Sequence, residues 1–296
     1  MDLSADLRVL EAEVQRALDT LDESGLAVLG YGEISLVLGW PREAPEYACK
    51  RLPIFEDRAS LDRYGEVVGR YVAGLRAAGV KVVDSELYDV PRPDGRIAAY
   101  LVQPVLPKDR LGPAQLRAAD PADGHPLVEA IFDHVVAIAS PRLALDEQLA
   151  NWAWIDGEAV QIDVTTPFMR DESGADELDF GLFTSALPWL MRWPVKRFVV
   201  RDAVSVFHEA RSAIVDFLGN LNKEGLSAWL PYAIEEANKR VAPEITRKEV
   251  DKTYASDARL WATMVSLRKA DRVWQRRVRR RQYPFLLPPK INRHAG

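Results

Sequence analysis

This 296-residue chain is poor in two residue types: it holds one cysteine, Cys49, and four histidines. A single cysteine excludes an internal disulfide, and no Cys–His cluster has zinc-ligand spacing. No run of about 18 uncharged apolar residues occurs, which argues against a membrane-spanning helix. The first two dozen residues, "MDLSADLRVLEAEVQRALDTLDES", are acidic and helical in period. They lack the basic-then-apolar order of a secretory leader. Together these absences predict a reducing, cytoplasmic setting and no membrane. Internal repeats and low-complexity segments are also missing.

What is present is an ordinary globular composition, 48% hydrophobic and 28% charged, with enough apolar material for one large domain or two lobes. The net charge of −5 conceals an asymmetry. Residues 259–296 carry eleven Lys/Arg against one acid, Asp271, for a formal +10, which leaves −15 on the remainder. Such a tail binds an anion or nucleic acid, or packs on the chain's own acidic surface. The second is the expectation, because internally compensated charge runs are common. A stripe of Leu260, Trp261, Met264, Leu267, Trp274 and Val278 at helical spacing is expected to be core.

Hydrophobic period divides the chain. Residues 5–23 predict an amphipathic helix, with Leu7, Leu10, Val14, Ala17, Leu18 and Leu21 on one face. "GLAVLGYGEISLVLGW" and "YACKRLP" are β-prone. A helical period returns over 57–78 and ends at Gly79. "VKVVDSELYDV" and "IAAYLVQPV" predict two further strands around "PRPDGR". Beyond Lys108 the pattern is mostly helical, over 126–139, 182–192, 201–219, 225–239 and 254–282. The fold class is therefore α+β. An N-terminal helix (1–23), a β-rich part with one helix (24–104) and a mostly helical part (105–296) are expected, with "LPKDRLGP" as the connector.

Two stretches carry chemistry. In "LGYGEISLVLGW", Gly30 and Gly32 sit where one strand turns into the next, and glycine lets backbone approach phosphate oxygens without a Cβ in the way. Val37 follows, and Ala48-x-Lys50 lies in the third strand. In "LDEQLANWAWIDGEAVQID", Asp156-Gly157 is a two-residue hairpin turn. Counting outward pairs Ile155 with Glu158, Trp154 with Ala159, Ala153 with Val160, Trp152 with Gln161 and Asn151 with Ile162. That register brings Asn151 and Asp163 to one end of the hairpin. Two oxygen donors there suit a hard Mg²⁺ ion. Asp146, five residues before Asn151, can reach the same end.

These features resemble the protein-kinase-like superfamily. The hairpin stretch is closest to the aminoglycoside and choline phosphotransferases, whose pattern is H-G-D-x-x-x-x-N, a hairpin and I-D. The resemblance implies a two-lobed fold, with a small antiparallel sheet and one helix in the N-lobe and a helical C-lobe bearing a catalytic hairpin. It implies ATP and Mg²⁺ as cofactors and phosphorylation of a hydroxyl on a small molecule. Asp146 matches the catalytic aspartate, and Asn151 and Asp163 match the metal ligands. Gly30, Gly32, Ser35, Val37, Ala48 and Lys50 match the nucleotide-binding positions, with Glu66 (or Asp62) as the acid that orients the lysine. Gln103 and Val105 would border the adenine, held by backbone over Gln103–Leu106.

The departures are specific. Ser35 replaces the third loop glycine, and Ala144 replaces the histidine before the catalytic aspartate. Val164-Thr165 follow Asp163 in place of Phe-Gly. A literal "DFG" at Asp179–Gly181 has no preceding strand and is set aside in favour of Asp163. The acids between Asp171 and Asp179 line a pocket for a cationic substrate or form a solvated loop. The other functional classes are a protein or peptide kinase docking through the basic tail, and a nucleotide-binding protein without phosphotransfer. Nucleic-acid binding is a distant fourth.

Overall fold

The structure is a computed structural model that describes residues 3–31, 35–184, 200–280 and Tyr283. It is a mixed α+β architecture. Helix α1 (Ser4–Thr20) is followed by β1 (Val28–Tyr31), β2 (Leu36–Trp40) and β3 (Tyr47–Arg51). Helix α2 (Arg58–Ala77), β4 (Lys81–Val82), β5 (Glu86–Pro91) and β6 (Ile97–Pro104) come next. Strands β1-β2-β3-β6-β5, in that spatial order, form one antiparallel sheet of five.

Register fixes what each face of this sheet touches. Leu36, Leu38, Cys49, Tyr100 and Val102 pack with Leu7, Leu10, Val14 and Leu18 of α1. The other face presents Leu52, Ala99 and Leu101 to α2 and the main core. Alternation along the strands makes this two-sided burial possible. Helix α2 begins at a capping box, in which the Asp57 carboxylate accepts from Ser60 N at 2.7 Å and the Asp57 amide donates to Ser60 Oγ at 3.3 Å. It stops before Gly79, whose φ of +87° is a left-handed conformation that glycine adopts freely.

One buried ion cluster ties α1 to the sheet. Arg51 of β3 donates from Nε and Nη2 to both carboxylate oxygens of Glu11, at 2.8 and 2.9 Å. Tyr100 Oη, Gln15 Nε2 and Arg92 Nη1 also donate to that carboxylate, at 2.5, 2.6 and 3.1 Å. Burial pushes the Glu11 carboxyl up, but Arg51 and the other donors hold it below its ordinary value.

The remainder is mostly helical. Helices α3 (Gly112–Ala118) and α4 (Pro126–Ile138) precede the hairpin β7 (Trp152–Ile155) and β8 (Glu158–Gln161). Then come α5 (Phe180–Thr184), α6 (Val200–Phe207), α7 (Ala210–Lys223), α8 (Leu230–Asn238) and α9 (Arg247–Arg277). The main core joins α2, α4, the hairpin, α7 and α8 around Phe132, Trp152, Phe217 and Trp229.

Several expectations change. "VKVVDSELYDV" is two strands: β4 leaves the first sheet and pairs parallel with β8, in a second sheet ordered β4-β8-β7. Val80 and Val82 are drawn there by the main core, which both join. The helix expected over 201–219 breaks at His208-Glu209, because Glu209 caps α7 by accepting from Arg211 N and Ser212 N. Helix α9 starts earlier than 254, since Thr246 accepts from Glu249 N at its N-terminus. Trp274 and Val278 of the expected core stripe are 49% and 57% exposed, while the side chains of Leu260, Trp261 and Met264 lie outside the described residues. The basic tail does touch its own chain: Arg276 Nη2 donates to Asp19 O at 3.0 Å, where a cation suits the carbonyl end of α1. No described helix is long and apolar enough to cross a membrane.

Removing one partner of a buried ion pair leaves the other charge uncompensated, whereas replacing both with apolar groups is far cheaper. Glu11→Ala is therefore expected to cost about 3–5 kcal/mol. The double variant Glu11→Leu/Arg51→Met is expected to recover most of that loss. Urea unfolding of the single and double variants measures both.

Candidate functional site

The hairpin has the register that the sequence predicts. Trp152 pairs with Gln161, Ala153 with Val160, Trp154 with Ala159 and Ile155 with Glu158, around Asp156 and Gly157 at φ +52° and +80°. Ile162 N donates to Asn151 O at 2.9 Å, which extends the pairing by one step. Asp163 thus leaves the hairpin beside Asn151. Asp146 joins them from the preceding loop. Its backbone oxygen accepts from Trp152 Nε1 at 3.2 Å, and its Oδ1 accepts from Gln148 N at 3.1 Å.

The five-stranded sheet supplies the opposing wall. Gly30 pairs with Val37 and Val37 with Lys50, while Ala48 pairs with Gln103 two residues along. With the period of two, Gly30, Val37, Ala48, Lys50 and Gln103 share the face turned away from α1. From that face Lys50 Nζ forms an ion pair with Asp163 Oδ2. Gln103 Nε2 donates to Ile162 O at 2.7 Å and to Ser85 Oγ at 2.9 Å. A Cβ added at Gly30 would meet nothing within 4 Å, so the strand end is open there. Ser35 immediately precedes β2, and Gly32 lies outside the described residues.

Two expected roles fail. Glu66 does not orient Lys50, because α2 buries Leu61, Tyr64, Val68, Tyr71 and Leu75 and leaves Glu66 exposed on another side. The alternative, Asp62, is exposed and faces Arg58 of its own helix at 3.9 Å. Asp163 itself is the lysine's partner. Nor is the Val105 amide free for adenine, since it donates to Glu46 O at 2.9 Å. Gln103, near the end of β6, is the side chain by which that strand meets the hairpin. In the literal "DFG", Asp179 Oδ1 accepts from Gly181 N at 2.7 Å at the start of α5.

The electrostatics separate the two aspartates. Burial pushes the Asp146 carboxyl up to about 7, and the nearby Asp163 charge adds to this, while the Gln148 amide and the Asn151 side chain pull the other way. Burial acts on Asp163 as well, but Lys50 and the Thr165 hydrogen bonds hold its carboxyl below the ordinary value. Next to Asp146, Glu147 is fully buried. Burial and the neighbouring Asp216 and Asp146 charges push it well up. Both effects disfavour the charged form of this carboxyl.

Four residues of the site were not foreseen. Thr165 donates from N and Oγ1 to Asp163 Oδ1, at 2.9 and 2.7 Å. Tyr64 of α2 donates to Thr165 O at 2.9 Å. Gln161 Nε2 donates to Asp163 O at 3.3 Å, and Trp152 holds Asp146 as described. Only Thr165 left a sequence signal, the Asp-x-Thr spacing of a side chain capping its own turn. At the position of the missing histidine, Ala144 is fully buried against Phe168 and Val204.

The acidic run is largely occupied with its own surroundings. Asp171 accepts from Ser173 and Ala175, Asp176 pairs with Arg170 at 2.8 Å, and Glu177 pairs with Arg70 of α2. Of the histidines, His134 stacks on Trp152 with centroids 5.8 Å apart, and His208 Nδ1 meets Ser140 O at 2.8 Å. His134 lies in α4, and His208 sits in the turn between α6 and α7.

Asn151 and Asp163 offer oxygen donors of the kind Mg²⁺ takes. Among the described residues no group of three or more His, Cys, Asp or Glu gathers at one point. A magnesium site needs no such group, because one or two protein oxygens suffice when substrate phosphates and waters complete it. The residues present fit the ion on that ground.

Raising a carboxyl above its unfolded value has a stability consequence. The folded chain keeps the Asp146 proton to about pH 7, whereas the unfolded chain releases it near its ordinary value of 3.8. Stability present at low pH is therefore lost as the pH rises to 7. In chelator-containing buffer, Asp146→Asn is expected to be more stable than wild type at pH 8, by about 2–4 kcal/mol. The gap narrows as pH falls toward 4. Thermal unfolding across that range measures it, and an Asn variant no more stable at pH 8 contradicts the assignment.

Comparison with known proteins gives a family and a distant structural likeness. No curated protein matches the chain. Among the solved structures that match, one described as "WaaP in complex with acyl carrier protein" shares 17% identity, covers 76% of this chain and 91% of its own, and superimposes with a TM-score of 0.32. A family of unknown function, DUF6206, matches residues 9–272, and the chain belongs to that family.

Proposed function

We propose that this chain is an ATP- and Mg²⁺-dependent phosphotransferase of two-lobed, kinase-like design that acts on a hydroxyl of a small molecule. The observation that carries the reading is the Lys50–Asp163 ion pair, which faces the sheet toward the hairpin end where Asn151 and Asp146 also lie. Lys50 is a compact cation on a long stem, suited to phosphate oxygens. Gly30, Val37, Ala48 and Gln103 line the same face and would border the nucleotide. Asn151 and Asp163 would hold Mg²⁺, which when bound neutralises charge on the transferring phosphoryl. Asp146, with a carboxyl near 7, is poised to accept or orient the acceptor's hydroxyl proton. Because Val105 is committed to Glu46, adenine recognition is not assigned to its amide.

A second reading, nucleotide binding without transfer, is favoured by one observation. Ala144, packed against Phe168 and Val204, stands where the resemblance calls for a histidine. Trp152 and Gln148 orient Asp146 in its absence, which supports retained transfer.

Thermal-shift titration with ATP is expected to raise the melting temperature more with Mg²⁺ than without. Asp163→Ala is expected to lose the Mg²⁺-dependent part. Asp146→Ala is expected to bind nucleotide but lower turnover by about 10²–10⁴-fold. No shift under either condition rules out the nucleotide site, and a shift without any turnover selects the second reading.

A further inference from the structure

The kinase-like resemblance gives α2 the task of positioning the lysine through an acid, and Glu66 cannot perform it. We propose that α2 instead positions Asp163, through a relay of hydrogen bonds in which Tyr64 and Thr165 are positioning residues. The inference rests on the reading of Asp163 as a metal ligand. Its geometry stands without that reading.

The chain of contacts is continuous. Tyr64 is buried on the inner face of α2, and its hydroxyl donates to Thr165 O at 2.9 Å. Thr165 is itself buried, 4% exposed, and turns both its amide and its hydroxyl onto Asp163 Oδ1, at 2.9 and 2.7 Å. Lys50 takes the other oxygen, Oδ2. The carboxylate is thus gripped from two sides, and its rotation about the Cβ–Cγ bond is fixed. Each grip belongs to a different element: β3 holds Oδ2, and α2, acting through Thr165, holds Oδ1. The Phe55 ring lies 5.4 Å from the Tyr64 ring, so the phenol is wedged as well as bonded.

The relay differs physically from a lysine–glutamate pair. An ion pair spanning the cleft is screened by salt and competes with phosphate for the lysine. A buried hydroxyl-to-carbonyl bond does neither. Lys50 can then shift toward a phosphate while Thr165 still fixes Asp163. Only the hydroxyl of Thr165 is chemically dispensable, because the amide belongs to every residue. Serine keeps that hydroxyl and valine keeps only the shape, which makes the two substitutions a clean comparison.

Two measurements test the relay. The first uses the protein alone: amide hydrogen exchange over residues 163–166, followed by mass spectrometry. Tyr64→Phe and Thr165→Val are expected to speed exchange roughly two- to tenfold, the loss of one net hydrogen bond, while Thr165→Ser and Glu66→Ala stay at the wild-type rate. The second titrates Mg²⁺ at fixed ATP and reads the binding midpoint. Thr165→Val is expected to raise that midpoint while leaving metal-free nucleotide affinity unchanged, and Thr165→Ser is expected to restore it. Wild-type exchange in both Tyr64→Phe and Thr165→Val overturns the relay. So does an unchanged Mg²⁺ midpoint in Thr165→Val when the wild type binds Mg²⁺–ATP. If the wild type binds no nucleotide, the phosphotransferase reading fails by itself, and the exchange measurement alone decides the relay.

Discussion

The Lys50–Asp163 ion pair is the contact on which the site depends. It joins two sheets that share no strand, one from the β-rich part and one built on the hairpin. Taking both groups out of water is costly, and the Coulomb attraction repays that cost only when the remaining lone pairs are also satisfied. Thr165 satisfies them on Asp163. Neighbouring contacts hold the two walls in place: Gln103 grips the Ile162 carbonyl, and β4 pairs with β8.

Around this pair the two aspartates part company. Asp163 sits against a cation and two donors and stays ionised. Asp146 is half-buried, feels the Asp163 charge, and holds its proton to higher pH. Their environments push the two carboxyls apart in opposite directions. Glu147, buried next to Asp146, has its carboxyl pushed well above the ordinary value by burial and by the Asp216 and Asp146 charges.

The back of the sheet supports the front. Arg51 follows Lys50 on β3 and points to the opposite face, where Glu11 of α1 accepts two of its hydrogen bonds. Successive strand residues alternate faces, so a clamp on Arg51 also fixes the strand from which Lys50 projects. The N-terminal helix is in this sense part of the site's scaffold.

The sequence by itself determined the local geometry. The Asp-Gly turn set the hairpin register, alternation set the faces of β2, β3 and β6, and the spacing of Asp146, Asn151 and Asp163 set their convergence. Each depends on residues close along the chain, where period and turn chemistry decide. Only the tertiary structure decided what faces what across the fold. Lys50 and Asp163 are 113 positions apart, and Tyr64 and Thr165 are 101 apart. Glu66 looked suitable by spacing along α2, but the packing of Tyr64, Val68 and Tyr71 set the helix's rotation and turned it to solvent. The split of β4 from β5 came likewise from the pull of the main core on Val80 and Val82. No local pattern encodes these choices, because helix rotation and strand partnership are settled by burial of surfaces that meet only once the chain has folded.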